Sequence, residues 1–68
     1  MGIGSKIAKF RSERGMTQKE LADKALVNAN YLAVIEEGRK NPHLKLIARL
    51  ASALEVTIEA LIENDMER

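Results

Sequence analysis

The chain has no cysteine, so neither a disulfide nor a thiolate-held metal can belong to its structure. It has one histidine, His43, and no cluster of other ligands around it, which excludes the usual metal sites. With that single histidine unpartnered, no Ser/His/Asp or Cys/His set can be assembled. Its one proline, Pro42, lies in an Asn-Pro turn signal. No apolar run approaches the length of a membrane span. The opening M-G-I-G-S-K is not a signal peptide, because no apolar run follows it. The G-I-G within it lacks a preceding strand, so it is not a phosphate-binding loop. Strand patterns, internal repeats and low-complexity segments are missing too. Neither an enzyme nor a cofactor is expected.

What remains is one small α-helical domain. Sixty-eight residues bury only about 60% of their unfolded surface, which limits stability unless a partner helps. The net charge is only +1, but its distribution is uneven. Residues 1–49 hold ten Lys/Arg against five acidic residues, and residues 50–68 hold one Arg against five acidic residues. A basic body with an acidic end fits a polyanion-binding surface that faces away from the end.

The organising stretch is Thr17 to Glu36. Thr17 and Glu20 have capping-box spacing, which predicts a helix starting at Gln18, with Leu21, Ala22 and Ala25 on its inner face. Asn28 is a good N-cap for another helix, which turns Leu32 and Ile35 inward. Two helices this short, joined so tightly, pack at a steep angle. That is a helix-turn-helix unit, whose second helix can enter a DNA major groove.

Periodicity places a first helix over about Ser5–Arg14, with Ile3, Ile7 and Phe10 as its apolar stripe and Gly15 as its stop. Met16 is expected to plug the gap beneath the capping box. Gly38 ends the third helix, and Arg39–Pro42 form a loop. A fourth helix from near His43 to Leu54 is expected to bury Leu44, Ile47, Leu50, Ala51 and Leu54. A short fifth helix, capped by Thr57, carries Ile58, Leu61 and Ile62, and residues 64–68 are expected to fray.

These residues resemble the phage-repressor and Cro type of helix-turn-helix regulator, the xenobiotic-response-element family. The resemblance rests on R-x-x-x-G-M-T-Q-K-E-L-A from Arg11 to Ala22, then Val27, Tyr31, Ile35-Glu36, Gly38 and Asn41-Pro42. A-S-A-L from Ala51 to Leu54 and V-T-I-E-A-L-I from Val56 to Ile62 complete it. It implies an all-α, five-helix, lambda-repressor-like domain that binds double-stranded DNA in the cytoplasm of a bacterium or a phage's host. It implies a sequence-specific regulator acting as a homodimer on a two-fold operator. It further implies a partly buried ion pair between Arg11 and Glu36.

The site follows from combining this resemblance with a helical wheel. Gln18, Asn28, Ala29, Asn30, Ala33 and Val34 are expected to face base edges, Ala29 among them on the outward arc. Thr17, Lys19, Tyr31, Arg39, Lys40, Asn41 and His43 are expected along the phosphate backbone. Leu46, Ile58, Leu61 and Ile62 are more apolar residues than a small core needs at one end, so a dimer contact is expected there. The outward arc is uncharged and largely apolar. That leaves a second reading open, a protein-interaction module of the antitoxin or anti-regulator kind that uses this face for a regulatory protein partner. In three places the sequence departs from the pattern: Leu26 and Glu55 stand where glycine is frequent, and Leu46 is apolar where the family is commonly polar.

Overall fold

The computed structural model describes residues 2–62. Among them are five helices and no strand: α1 (Ile3–Glu13), α2 (Gln18–Ala25), α3 (Ala29–Glu36), α4 (Leu44–Leu54) and α5 (Ile58–Ile62). The expected tail at 64–68 lies outside the described residues.

Helix α4 is the central strut. Its stripe of Leu46, Ile47, Leu50, Ala51 and Leu54 is buried, and it packs against α1, α2 and α5. Helix α2 lies between α4 and α3, with Leu21, Ala22 and Ala25 buried. Ile7, Leu32, Ile35 and Leu61 close the core from the other helices. Phe10, from the expected apolar stripe of α1, and Met16, in the link to α2, pack against its rim.

Two expectations about burial are corrected. Leu44 is 68% exposed instead of buried. It lies six residues before Leu50, about 600° around the helix, at the margin of the stripe. Leu46, four residues before Leu50, takes the buried place and is wholly enclosed. Leu61 is wholly enclosed as well. Leu46 and Leu61 therefore leave the expected dimer contact, because α1, α4 and α5 already cover them within one chain.

Helix ends follow the sequence signals closely. The Thr17 hydroxyl accepts from the Glu20 N–H at 3.1 Å, while the Thr17 N–H donates to the Glu20 carboxylate at 2.8 Å. Thr57 caps α5 by accepting from the Ala60 N–H. At the other ends, the chain turns left-handed after α1, α2, α3 and α4. Gly15 and Gly38 do this at two of them, Leu26 (φ 60°) and Glu55 (φ 62°) at the other two. After α2 the Val27 N–H reaches back to the Ala22 carbonyl at 2.9 Å, and after α4 Val56 reaches Ala51 at 3.0 Å. This closure satisfies carbonyls that a helix end otherwise leaves open. A non-glycine residue in this conformation costs roughly 1–2 kcal/mol. Leu26 recovers none of that cost by burial, since it is 78% exposed.

Helix α1 starts at Ile3, two residues earlier than expected, and so takes in Gly4. It is buried against the end of α3, where an added Cβ would lie 2.1 Å from the Ile35 carbonyl oxygen and 3.1 Å from the Glu36 Cα. Only a residue without a side chain lets the two backbones approach so closely. Gly4→Ala should lower the unfolding free energy by about 1–3 kcal/mol, because overpacking outweighs the ~1 kcal/mol that alanine gains in helix propensity. Gly2→Ala is the control for an added Cβ that would meet nothing within 4 Å; because Gly2 is the N-cap of α1, it should lose only up to about 1 kcal/mol. Urea titration of the two variants should separate them, and equal midpoints would show that the close approach does not constrain the fold.

Candidate nucleic-acid interface

The site is built around a carboxylate. Glu36 ends α3 with its side chain only 6% exposed. Arg11 of α1 reaches it in a two-pronged arrangement, Nε to Oε2 at 2.8 Å and Nη2 to Oε1 at 3.0 Å. Gln18, the first residue of α2, donates from Nε2 to the same Oε1 at 3.0 Å. Arg11 also donates from Nη1 to the Met16 carbonyl at 2.8 Å, which pins the α1–α2 link. Three helices thus meet at one charge, and the expected Arg11–Glu36 pair is present.

The hydrogen bond to Glu36 raises the Arg11 pKa above its ordinary value; burial opposes this, and the charge of Glu36 adds to it. A raised pKa stabilises the fold below the unfolded value and is lost only as pH rises through the folded one. For an arginine that window is strongly alkaline, so the guanidinium stays charged throughout the neutral range.

Helix α3 presents a narrower face than the wheel suggested. Asn30 is exposed, and its side-chain amide makes no hydrogen bond among the described residues. Ala33 and Val34 flank it, half-buried. Ala29 is the correction: it packs against the core. It lies three residues before Leu32 and so sits beside the inner stripe, about 60° from it. Tyr31 is half-buried with its ring against the core. Asn28 caps the helix, its Oδ1 accepting from the Asn30 N–H at 2.8 Å and the Tyr31 N–H at 3.1 Å. Gln18 is drawn back onto Glu36, which holds one of its amide hydrogens inward.

The expected backbone-facing residues divide into engaged and open ones. Lys40 and Asn41 are exposed in the loop after α3. Arg39 is paired with Glu37 at 2.8 Å, and Lys19 with Asp23 at 3.4 Å. Both pairs are mostly exposed, so each is worth little and yields readily to a phosphate. His43 has a structural task that its spacing did not reveal. Its Nδ1 accepts from the Leu46 N–H at 3.2 Å and caps α4. The neutral ring must then carry its proton on Nε2. Of the expected dimer residues, Ile62 is 47% exposed and Ile58 is half-buried.

Two residues escaped the sequence reading. Gly4 carried a faint signal, an isolated glycine inside a helical pattern. Arg49 carried none, because its partners lie 24 and 23 residues away: its Nε donates to the Ala25 carbonyl at 2.9 Å and its Nη2 to the Leu26 carbonyl at 3.2 Å.

This arrangement has relatives. A family model described as helix-turn-helix matches residues 7–61. The chain belongs to that helix-turn-helix family. Within it, the immunity repressor protein of Bacillus phage phi105 is 40% identical over 65 residues, covering 96% of this chain and 45% of the repressor. The chain spans about half the length of the curated relatives it matches. Among solved structures, the crystal structure of SinR, the master regulator for biofilm formation, in complex with DNA matches with a TM-score of 0.83 and 35% identity, over 87% of this chain and 95% of that one. The SinR–SinI protein complex matches with a TM-score of 0.89 and 33% identity, over 96% and 64%.

Breaking the Glu36 cluster should reveal its weight. Glu36→Ala strands a guanidinium that is 19% exposed, and Arg11→Ala strands a nearly buried carboxylate. Each should cost about 3 kcal/mol or somewhat more, and the double variant clearly less than their sum. Urea unfolding of the three variants measures this, with simple additivity as the contrary result.

Proposed function

We propose that the chain is a sequence-specific DNA-binding transcriptional regulator that places α3 in the major groove of a two-fold operator. The observation that carries this reading is the braced α2–α3 pair, with Asn30 exposed and unpaired on α3, in a chain that superimposes on a protein crystallised with DNA. The Glu36 cluster sets the angle of α3, and the loop at Arg39–Asn41 supplies cations beside it. Binding, not catalysis, is the work proposed. No helix among the described residues is long and apolar enough to cross a membrane, and the cytoplasm is the location proposed.

Affinity comes mainly from Lys and Arg on phosphates, and choice of sequence from the short face of α3. That face has no arginine or lysine, the side chains best suited to guanine O6 and N7. Asn30 can pair with adenine N6 and N7, and the methyl groups of Ala33 and Val34 can meet a thymine methyl. Each half-site is therefore centred on A·T pairs. Selection from a random DNA pool should recover such sites. On the recovered site Asn30→Ala should cost about 1–3 kcal/mol and on random DNA little, while Lys40→Ala should weaken both and lower the log–log salt slope by about 1. A guanine-rich half-site, or equal losses from Asn30→Ala on both DNAs, would overturn this readout.

A homodimer is proposed through Ile62, with Ile58 beneath it, spacing two α3 helices about 34 Å apart along one DNA turn. Sedimentation at high micromolar concentration should give a dimer, and Ile62→Lys should give a monomer with unchanged helicity. A wild-type monomer with and without DNA is the result that excludes it. The match to the SinR–SinI complex favours one further reading, a regulatory protein partner. If neither Asn30→Ala nor Lys40→Ala alters DNA binding, the outer face of α3 belongs to that partner.

A further inference from the structure

Leu26 holds a left-handed turn that glycine would hold without strain, and its side chain lies open to solvent. The turn joins α2 to α3 directly, so its geometry sets where α3 points. Restraints of two kinds act on it. One is backbone hydrogen bonding at the end of α2, from the Leu26 N–H to the Ala22 and Asp23 carbonyls and from the Val27 N–H to Ala22. The other comes from outside the helix-turn-helix unit. Arg49, on α4, spans the carbonyls of Ala25 and Leu26 with two prongs of its guanidinium. Arg49 makes no ion pair among the described residues, so these carbonyls are its polar partners. A cation there also meets the negative end of the α2 dipole. The clamp borders an open cavity of about 280 Å³ lined by Lys24, Leu26, Ser52, Ala53 and Glu55. The cavity leaves room for the turn to relax once it is released.

We infer that Arg49 is a positioning residue for DNA readout: it clamps the strained turn at Leu26 and so fixes the recognition helix on the rest of the domain. The inference rests on the proposed DNA-binding function. Its physical logic is that a guanidinium fork fixes two acceptors in a set geometry, whereas the turn's own sequence favours opening. Phosphate contacts from the loop after α3 tolerate a small rotation of α3. Hydrogen bonds to base edges do not. Loss of the clamp should therefore degrade discrimination more than general affinity.

The test uses Arg49→Met, which keeps an apolar stem and removes the fork, with and without Leu26→Gly, which removes the strain. Affinity is measured on a site selected from random DNA and on mixed-sequence DNA. Amide hydrogen exchange at Val27 is measured without DNA. Arg49→Met should lower the ratio of specific to mixed-sequence affinity about tenfold and speed Val27 exchange about as much, with the far-ultraviolet spectrum unchanged. Leu26→Gly in the same chain should restore both to within about threefold of wild type. Equal loss on both DNAs without rescue would make Arg49 a phosphate contact and overturn the inference. Unchanged Val27 exchange in Arg49→Met would overturn the clamp itself. If the wild-type chain bound no DNA, the functional reading would fall, and the exchange measurement would still decide the clamp.

Discussion

The fold depends on one nearly buried negative charge. A carboxylate withdrawn from water costs several kcal/mol unless its lone pairs are filled. Glu36 fills them from two directions, with Arg11 from α1 and Gln18 from α2. Because each donor belongs to a different helix, satisfying the charge also fixes the mutual placement of α1, α2 and α3. A purely apolar junction would tolerate sliding, since hydrophobic contact has no direction. Gly4 sharpens the constraint by letting the α1 backbone press against the same end of α3. Helix α3 is thus anchored at its C-terminal end by charge and close packing.

Its N-terminal end is held differently. There the chain has a turn of one strained residue, a cap from Asn28 and a fork from Arg49. The two ends of α3 rely on interactions of different kinds, a near-buried ion pair at one and exposed or part-buried hydrogen bonds to backbone groups at the other. Exposed bonds compete with water and open at lower cost. Any adjustment of α3 on a ligand is therefore easiest at its N-terminal end, the end that enters the groove first in the proposed docking.

Much of this was legible in the sequence, because the strongest signals are local. Thr17 with Glu20, Asn28 before its helix and Thr57 before the last one each announce a cap through residues at most three positions apart. Leu21, Ala22 and Ala25 gave the core face of α2, and Leu32 and Ile35 that of α3. The Arg11–Glu36 pair came from resemblance, since no local rule links residues 25 apart. What stayed hidden depends on where one helix meets another. Leu44 and Leu46 differ by two positions on α4; spacing from Leu50 puts Leu46 in the stripe and Leu44 at its margin, where the cover given by the neighbours of α4 ends. Ala29 lies about 60° from Leu32, at the border between the two faces of α3, and its contact with the core decides its side. The grip of Arg49 on a distant helix end had no periodicity to betray it. His43 read as a surface residue because imidazole is an uncommon cap.

The cap at Asn28 makes two neighbouring asparagines chemically unequal. Both lone pairs of the Asn28 carbonyl oxygen are occupied by the helix it starts, so this side chain can only give hydrogens. Asn30, two residues on, keeps its whole amide and can give and take at once. In the proposed groove, Asn28 would address any base edge that offers an acceptor, whether purine N7, guanine O6 or thymine O4. Asn30 would demand a donor beside an acceptor. The tip of the helix is thus permissive and the next position exacting, a difference imposed by the rules for starting a helix.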